Sequence, residues 1–149
     1  MISDNYQRHL EALRKYVAKL KKLRGSVAAE ILKSPESIER DSVERNMQLA
    51  IQSVLDLGSM IIADYSLGTP NDNEHIITIL GNNKVLEPEL AARIKKMGGM
   101  RNALVHDYLY IDEDELFDAF ENRLGDFDAF AEHLVMFLDS HPLNTTPDF

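Results

Sequence analysis

The sequence predicts an all-α protein, an up-and-down bundle of four to five helices in one domain. Three observations lead there. Apolar side chains return at three- or four-residue steps over long stretches, the period of one helical face. No run alternates apolar and polar residues as a half-buried strand does. The connections marked by proline and glycine are short, which favours antiparallel neighbours.

The first helix is expected from Tyr6 to Ile31, with Tyr6, Leu10, Leu13, Val17, Leu20, Val27 and Ile31 on its inner face. Its polar side carries Arg14, Lys15, Lys19, Lys21, Lys22 and Arg24, a basic stretch in an acidic chain that serves either as a solvated face or as an attraction for phosphate. A second helix can begin at Ser34-Pro35-Glu36, where a capping hydroxyl precedes proline, or after Asp41. Its stripe runs from Val43 through Met47, Ala50, Ile51, Val54, Leu57, Gly58, Ile61 and Ile62 to Tyr65, and Leu67-Gly68-Thr69-Pro70 supplies the stop. A stripe of that length must be packed from both sides.

Asn71 to Leu80 reads as a short third helix with Ile76, Ile77, Ile79 and Leu80 inward, ended by Gly81-Asn82-Asn83. Its β-branched residues would also suit a strand. Glu87-Pro88-Glu89 opens a fourth, with Leu90, Ile94 and Met97 at helical spacing, which runs into Gly98-Gly99. Two glycines inside a helix cost about 2 kcal/mol relative to alanine, so close approach of another helix backbone is expected as compensation. After the acidic start Ile111-Asp112-Glu113-Asp114, a last helix carries Leu116, Phe117, Phe120, Leu124, Phe127, Phe130, Ala131, Leu134, Phe137 and Leu138. At that spacing the phenylalanines are core residues rather than a ligand box. The domain is expected to span 1–140, with 141–149 a flexible tail.

With 149 residues, 44% of them hydrophobic, the chain can bury a sizeable core. Cysteine is absent, which excludes disulfides, thiolate nucleophiles and cysteine-ligated metal. No apolar run approaches the roughly 20 residues that span a bilayer, and Met1 to Leu10 is too polar for a signal-peptide core, so a soluble, cytoplasmic protein with no membrane contact is expected. The formal charge of -9 repels nucleic acid on average, so any RNA or DNA site must be locally basic.

The chemistry is concentrated in Arg101-Asn102-Ala103-Leu104-Val105-His106-Asp107-Tyr108. Arginine offers a permanent planar charge for phosphate oxygens, histidine a proton acceptor near neutral pH, and tyrosine a modifiable hydroxyl. Together they suit work on a phosphodiester. Residues five apart on an ideal helix are rotated by about 140°, so Arg101 and His106 would not share a face of a straight one. Either the helix ends near Val105 and His106 turns back, or two copies complete each other across a symmetric dimer. Asn102 and His106 are helical neighbours, so the amide could orient the imidazole or hold a substrate oxygen. The same residues also suit a structural arrangement, with Arg101 paired to an acid, His106 on a buried carbonyl and the Tyr108 ring packed. His106 and Asp107 lack a second ligand cluster, and His9, His75, His133 and His141 do not supply one, so no metal is expected. No Walker loop or dinucleotide fingerprint is present, and no cofactor is expected.

The octapeptide resembles the R-x4-H-x-Y motif of HEPN-domain ribonuclease toxins, the HepT-like partners of MNT nucleotidyltransferase antitoxins. The resemblance extends to Val43-Glu44-Arg45-Asn46-Met47-Gln48-Leu49-Ala50-Ile51-Gln52, similar to the family's second-helix signature, to Met97-Gly98-Gly99-Met100, and to Arg123-Leu124-Gly125-Asp126-Phe127. It covers nearly everything from helix one to about Leu138. It implies a HEPN-like bundle that dimerises with two motifs lining a shared cleft, and a metal-independent endoribonuclease acting on cellular RNA. Arg101 and His106 are then the catalytic residues and Asn102 the supporting one. The resemblance also implies that the MNT antitoxin silences the toxin by transferring AMP from ATP to Tyr108, with Tyr110 displaced from the motif position. A different class stays open, a non-catalytic helical interaction module or a nucleotide-binding accessory subunit of a nucleotidyltransferase, with Arg101 and His106 as ligand contacts.

Overall fold

A computed structural model describes residues 2–34, 36–106 and 111–143. The helices in chain order are α1 (Asp4–Ser26), α2 (Ala29–Lys33), α3 (Ile38–Asp64), α4 (Asn73–Asn82), α5 (Pro88–Gly98), α6 (Arg101–Val105), α7 (Glu113–Asn122) and α8 (Leu124–Ser140). Among the described residues there is no strand. All five expected helical runs are present, and three of them are interrupted. α3 is central, touching α1, α2, α4, α5, α6 and α8, while α8 closes the bundle against α1, α5 and α7.

The first expected helix stops at Ser26 because Val27 adopts extended backbone, φ -122° and ψ 132°, directly after two poor helix formers, Gly25 and Ser26. The break shifts the phase of the next helix. Leu32 is buried on α2, whereas Ile31, expected on the inner face, is exposed. α3 begins between the two expected starts. The Arg40 N–H donates to Ser37 Oγ at 2.9 Å, which satisfies one of the amides that every helix start leaves without a partner.

α3 and α4 end alike. Leu67 N–H donates to Ile62 O at 3.0 Å and Ser66 N–H to Ala63 O at 3.4 Å, while Val85 N–H donates to Leu80 O at 3.0 Å and Lys84 N–H to Gly81 O at 3.2 Å. These are the paired bonds of a Schellman stop. The left-handed residue in each is not glycine but Ser66, φ 54°, and Lys84, φ 61°. Gly68 lies beyond the stop of α3, and Gly81 lies inside α4 rather than after it. Asp72 caps α4 through its side chain, accepting from His75 N–H at 2.8 Å, so this segment is a helix despite its β-branched residues.

The last expected helix divides at Arg123, φ -119° and ψ 6°, into α7 and α8. Phe120, Phe127 and Phe130 are fully buried in the core, as their spacing predicts. Each such side chain contributes about 1.5–3 kcal/mol on leaving water. Phe117 and Phe137 are only partly buried. The Arg40 guanidinium lies 5.8 Å from the Phe117 ring centroid and pairs with Glu113 at 2.9 Å, tying the start of α3 to the start of α7. Phe137 stacks on His141 at 4.3 Å, and Tyr65 donates its hydroxyl to the His141 carbonyl, so the chain stays on the bundle just past α8. Asn144 to Phe149 lie outside the described residues.

Among the glycines, the tightest helix contact is at Gly58 of α3. A Cβ there would meet Ile76 Cγ2 of α4 at 2.7 Å and Leu80 Cδ1 at 3.1 Å. Its missing side chain lets α4 settle onto α3, and α4 in turn supports α5. No described helix is long and apolar enough to cross a membrane.

Candidate functional site

The site is built where α5 gives way to α6. Gly99 and Met100 keep right-handed backbone, φ -65° and -76°, but Met100 N–H donates to Met97 O, one residue closer than α-helical bonding. This tightened turn separates the two helices. The expected close approach of a helix backbone at the glycine pair is not found. A Cβ on Gly98 would come no nearer than 4.0 Å to the Leu55 side chain, and one on Gly99 would meet Glu74 Oε1 at 3.1 Å. Because α5 ends at Gly98, the pair does not sit in a helix interior, and the cost anticipated for it largely disappears.

Met100 and Leu104 are buried and anchor α6 on α3. The helix is only five residues long, so this anchoring, rather than its own hydrogen bonds, holds it in place. Arg101 is its first residue and His106 the residue just after its end, with extended backbone at φ -107° and ψ 107°. His106 N–H donates to Asn102 O at 3.0 Å. The helix therefore ends at Val105, and straight-helix geometry does not govern His106.

Arg101 is half-buried and held at two edges. Its Nε donates to Gln52 Oε1 of α3 at 2.8 Å, and its Nη1 donates to Asn102 Oδ1 at 3.1 Å. Gln52 in turn donates from Nε2 to Asp56 Oδ1 at 2.8 Å. Among the described residues Arg101 makes no ion pair, so its charge is oriented by neutral oxygens and not cancelled. Asn102 is exposed, and its carboxamide oxygen serves the arginine. Tyr108, the expected modification position, and Tyr110 lie outside the described residues.

Two further features border the site. Lys95 and Lys96 are exposed in the last turn of α5, adding positive charge before Arg101. A cavity of about 260 Å³ lies between α5 and α7, with Met97, Met100 and Ala119 and the charged Arg93, Lys96, Asp118 and Arg123 among its lining. Its charges are largely matched, since Arg123 lies 3.7 Å from Asp118 and Arg93 bonds Asp126 at 3.0 Å. The Asn122 amide, with Arg123 and Lys96 nearby, holds the Asp118 carboxyl below its ordinary range. The basic residues of α1 are exposed, with Lys21 paired to Asp128 of α8. Among the described residues no three histidine or carboxylate side chains converge as a metal site.

The profile of the ribonuclease HepT-like family matches residues 7–134, which takes in α2 to α7 and most of α1 and α8. The chain belongs to the HepT-like ribonuclease family. It is 31% identical over 93 residues to the mRNA nuclease HepT of Shewanella oneidensis, covering 62% of this chain and 70% of that one. To the tRNA nuclease HepT of Aphanizomenon flos-aquae it is 30% identical over 129 residues, 87% of this chain and 86% of the relative. The fold matches that of the tri-AMPylated Shewanella oneidensis HEPN toxin in complex with MNT antitoxin, with a TM-score of 0.80 and 23% identity over 91% of this chain and 99% of that one.

Within this HepT-like site the residue that sequence reading passed over is Gln52. It lay inside a segment noted only for resemblance, and nothing in its neighbourhood ties it to an arginine far along the chain. The contact exists because α6 packs across α3.

Proposed function

We propose that the chain is the toxin of a HEPN/MNT toxin-antitoxin pair, a metal-independent endoribonuclease that cleaves cellular RNA. The observation that carries this reading is that Arg101 and His106 stand at the two ends of one short helix, with no ion pair to the arginine among the described residues. Membership of a ribonuclease family and two relatives named as nucleases of mRNA and tRNA support it. His106 takes the proton of a ribose 2'-hydroxyl, and the 2'-oxygen attacks the adjacent phosphorus. Arg101, supported by Asn102, stabilises the added negative charge on the pentavalent phosphate. The bond from phosphorus to the 5'-oxygen then breaks, leaving a 2',3'-cyclic phosphate, while the 5'-oxygen collects a proton.

The working form is a homodimer in which two copies of the octapeptide line one cleft, made locally positive by both Arg101 side chains in spite of the chain's net charge. An MNT-type nucleotidyltransferase is its partner and regulator. Transfer of AMP from ATP to the Tyr108 hydroxyl would place a phosphate charge and a nucleotide's bulk beside Arg101, where both compete with RNA. A structural neighbour described as an AMPylated HEPN toxin bound to MNT antitoxin supports this arrangement.

The test is RNA cleavage by the purified protein in excess chelator, alongside Arg101→Ala and His106→Ala. Wild-type cleavage to cyclic phosphate ends, lost by at least about a hundredfold in both variants, is the expected result. Equal activity in all three samples, or products ending in 3'-hydroxyl, would remove the proposed chemistry and leave the interaction-module reading. Mass spectrometry after incubation with the nucleotidyltransferase and ATP should place added AMP on Tyr108, and modification confined to other residues would sink that assignment.

A further inference from the structure

Resting on the ribonuclease reading of Arg101, we propose that Gln52, itself oriented by Asp56, is a positioning residue that holds the Arg101 guanidinium toward the substrate phosphate. Gln52 Oε1 accepts from Arg101 Nε at 2.8 Å, and Gln52 Nε2 donates to Asp56 Oδ1 at 2.8 Å. A carboxamide can present either end to a neighbour. Beside the Asp56 carboxylate only its NH2 end is favourable, so its oxygen must face the arginine, where a second donor would repel the Nε–H. Asp56 and Gln52 are one helical turn apart on α3, a 27-residue helix packed on six others, so the oxygen is presented from the most firmly held element of the bundle.

The choice of a neutral partner has a chemical consequence. A carboxylate in the place of Gln52 would pair with Arg101, and substrate phosphate would have to compete for the guanidinium. The carboxamide fixes the plane of the group and leaves its full charge available. With Nε held by Gln52 and one Nη1 proton by Asn102, the Nη2 edge has no partner among the described residues. That edge is the one offered to a phosphate oxygen. α6 is too short to fix the side chain alone, so the restraint comes from α3.

Steady-state RNA cleavage and the hydrogen exchange of the Arg101 Nε–H, followed by NMR and assigned by its loss in Arg101→Ala, test this on the full chain. In Gln52→Leu the Nε–H should exchange about tenfold faster, as expected for one lost hydrogen bond. Its kcat should fall about 10–100-fold with KM within about threefold, because the charge remains but its aim is lost. Gln52→Glu should preserve slow exchange and raise KM about tenfold, through a new pairing that the substrate must break. Asp56→Ala should lower kcat about threefold even though a negative charge has been removed. Unchanged kcat and unchanged Nε–H exchange in Gln52→Leu, with Arg101→Ala inactive, would overturn the positioning role. A fall in KM without loss of kcat in Asp56→Ala would overturn the part given to Asp56. Full activity in Arg101→Ala would instead refute the ribonuclease reading, and the exchange rate would still decide whether Gln52 holds the guanidinium.

Discussion

Replacing Gly58 by alanine should destabilise the protein, against the usual direction for a glycine inside a helix. Two effects compete. In an open helix interior the change gains about 1 kcal/mol, because alanine loses less backbone entropy on folding. At Gly58 the added methyl would lie 2.7 Å from Ile76 Cγ2 and 3.1 Å from Leu80 Cδ1. Both neighbours are buried, and Cγ2 branches directly from Ile76 Cβ, so it cannot swing away without a new χ1 or a shift of α4. Overpacking of this kind costs about 2–3 kcal/mol, leaving a net loss of about 1–2 kcal/mol. For a chain of this length that lowers Tm by about 2–8 °C. Gly25→Ala is the control, since nothing lies within 4 Å of a Cβ there, and it should raise Tm by about 1–3 °C. Thermal unfolding by circular dichroism and urea titration measure both, with an unchanged m-value expected. The double variant Gly58→Ala with Ile76→Leu moves the branch point away from the clash and should recover part of the loss. A Gly58→Ala protein as stable as Gly25→Ala would refute the claim that this contact sets the distance between α3 and α4.

Other substitutions test separate parts of the structure. Lys84→Gly removes the strain of a left-handed lysine at the α4 stop, φ 61°, and should stabilise by about 1 kcal/mol in urea unfolding. A loss of stability there would refute the assignment of that strain. Arg40→Ala should cost about 2 kcal/mol by breaking the contacts to Glu113, Glu44 and the Phe117 ring, and Arg40→Leu should restore about half through packing. Equal stability of both variants with the wild type would show the clamp to be dispensable. Burial and then the hydrogen bond to Asp64 push the Tyr6 phenol well above its ordinary value of 10.0. Because the folded-state value is raised, this contribution to stability is fully present below pH 10.0 and is lost as pH rises beyond it, when the unfolded chain ionises first. Tyr6→Phe should therefore lose about 1 kcal/mol at neutral pH and show a shallower alkaline decline, and identical alkaline profiles would contradict this.

How much was legible in the chain varies by element. The long apolar stripes of α1, α3 and α8 repeat at helical spacing, and a face that must be buried announces itself locally. The interruptions at Val27 and Arg123 do not, because the stripe continues on either side while the backbone breaks between. Helix stops were expected at glycines, yet Ser66 and Lys84 take the left-handed positions, where packing on both sides outweighs their strain. The glycine pair before the octapeptide was expected to mark a helix contact, whereas the contact that needs a glycine is at Gly58, whose sequence neighbours give no sign of it.

The sequence by itself determined an all-helical chain and the contents of its candidate site, because helical periodicity is local and Arg101, Asn102 and His106 are nearly contiguous. Only the tertiary structure decided how that site is held. Gln52, bonded in turn to Asp56, reaches Arg101 because the buried faces of α3 and α6 pack together, a non-local contact chosen by burial and not by any motif. The structure also ends α6 at Val105 and puts His106 in extended backbone just beyond it, where helical periodicity no longer sets its direction.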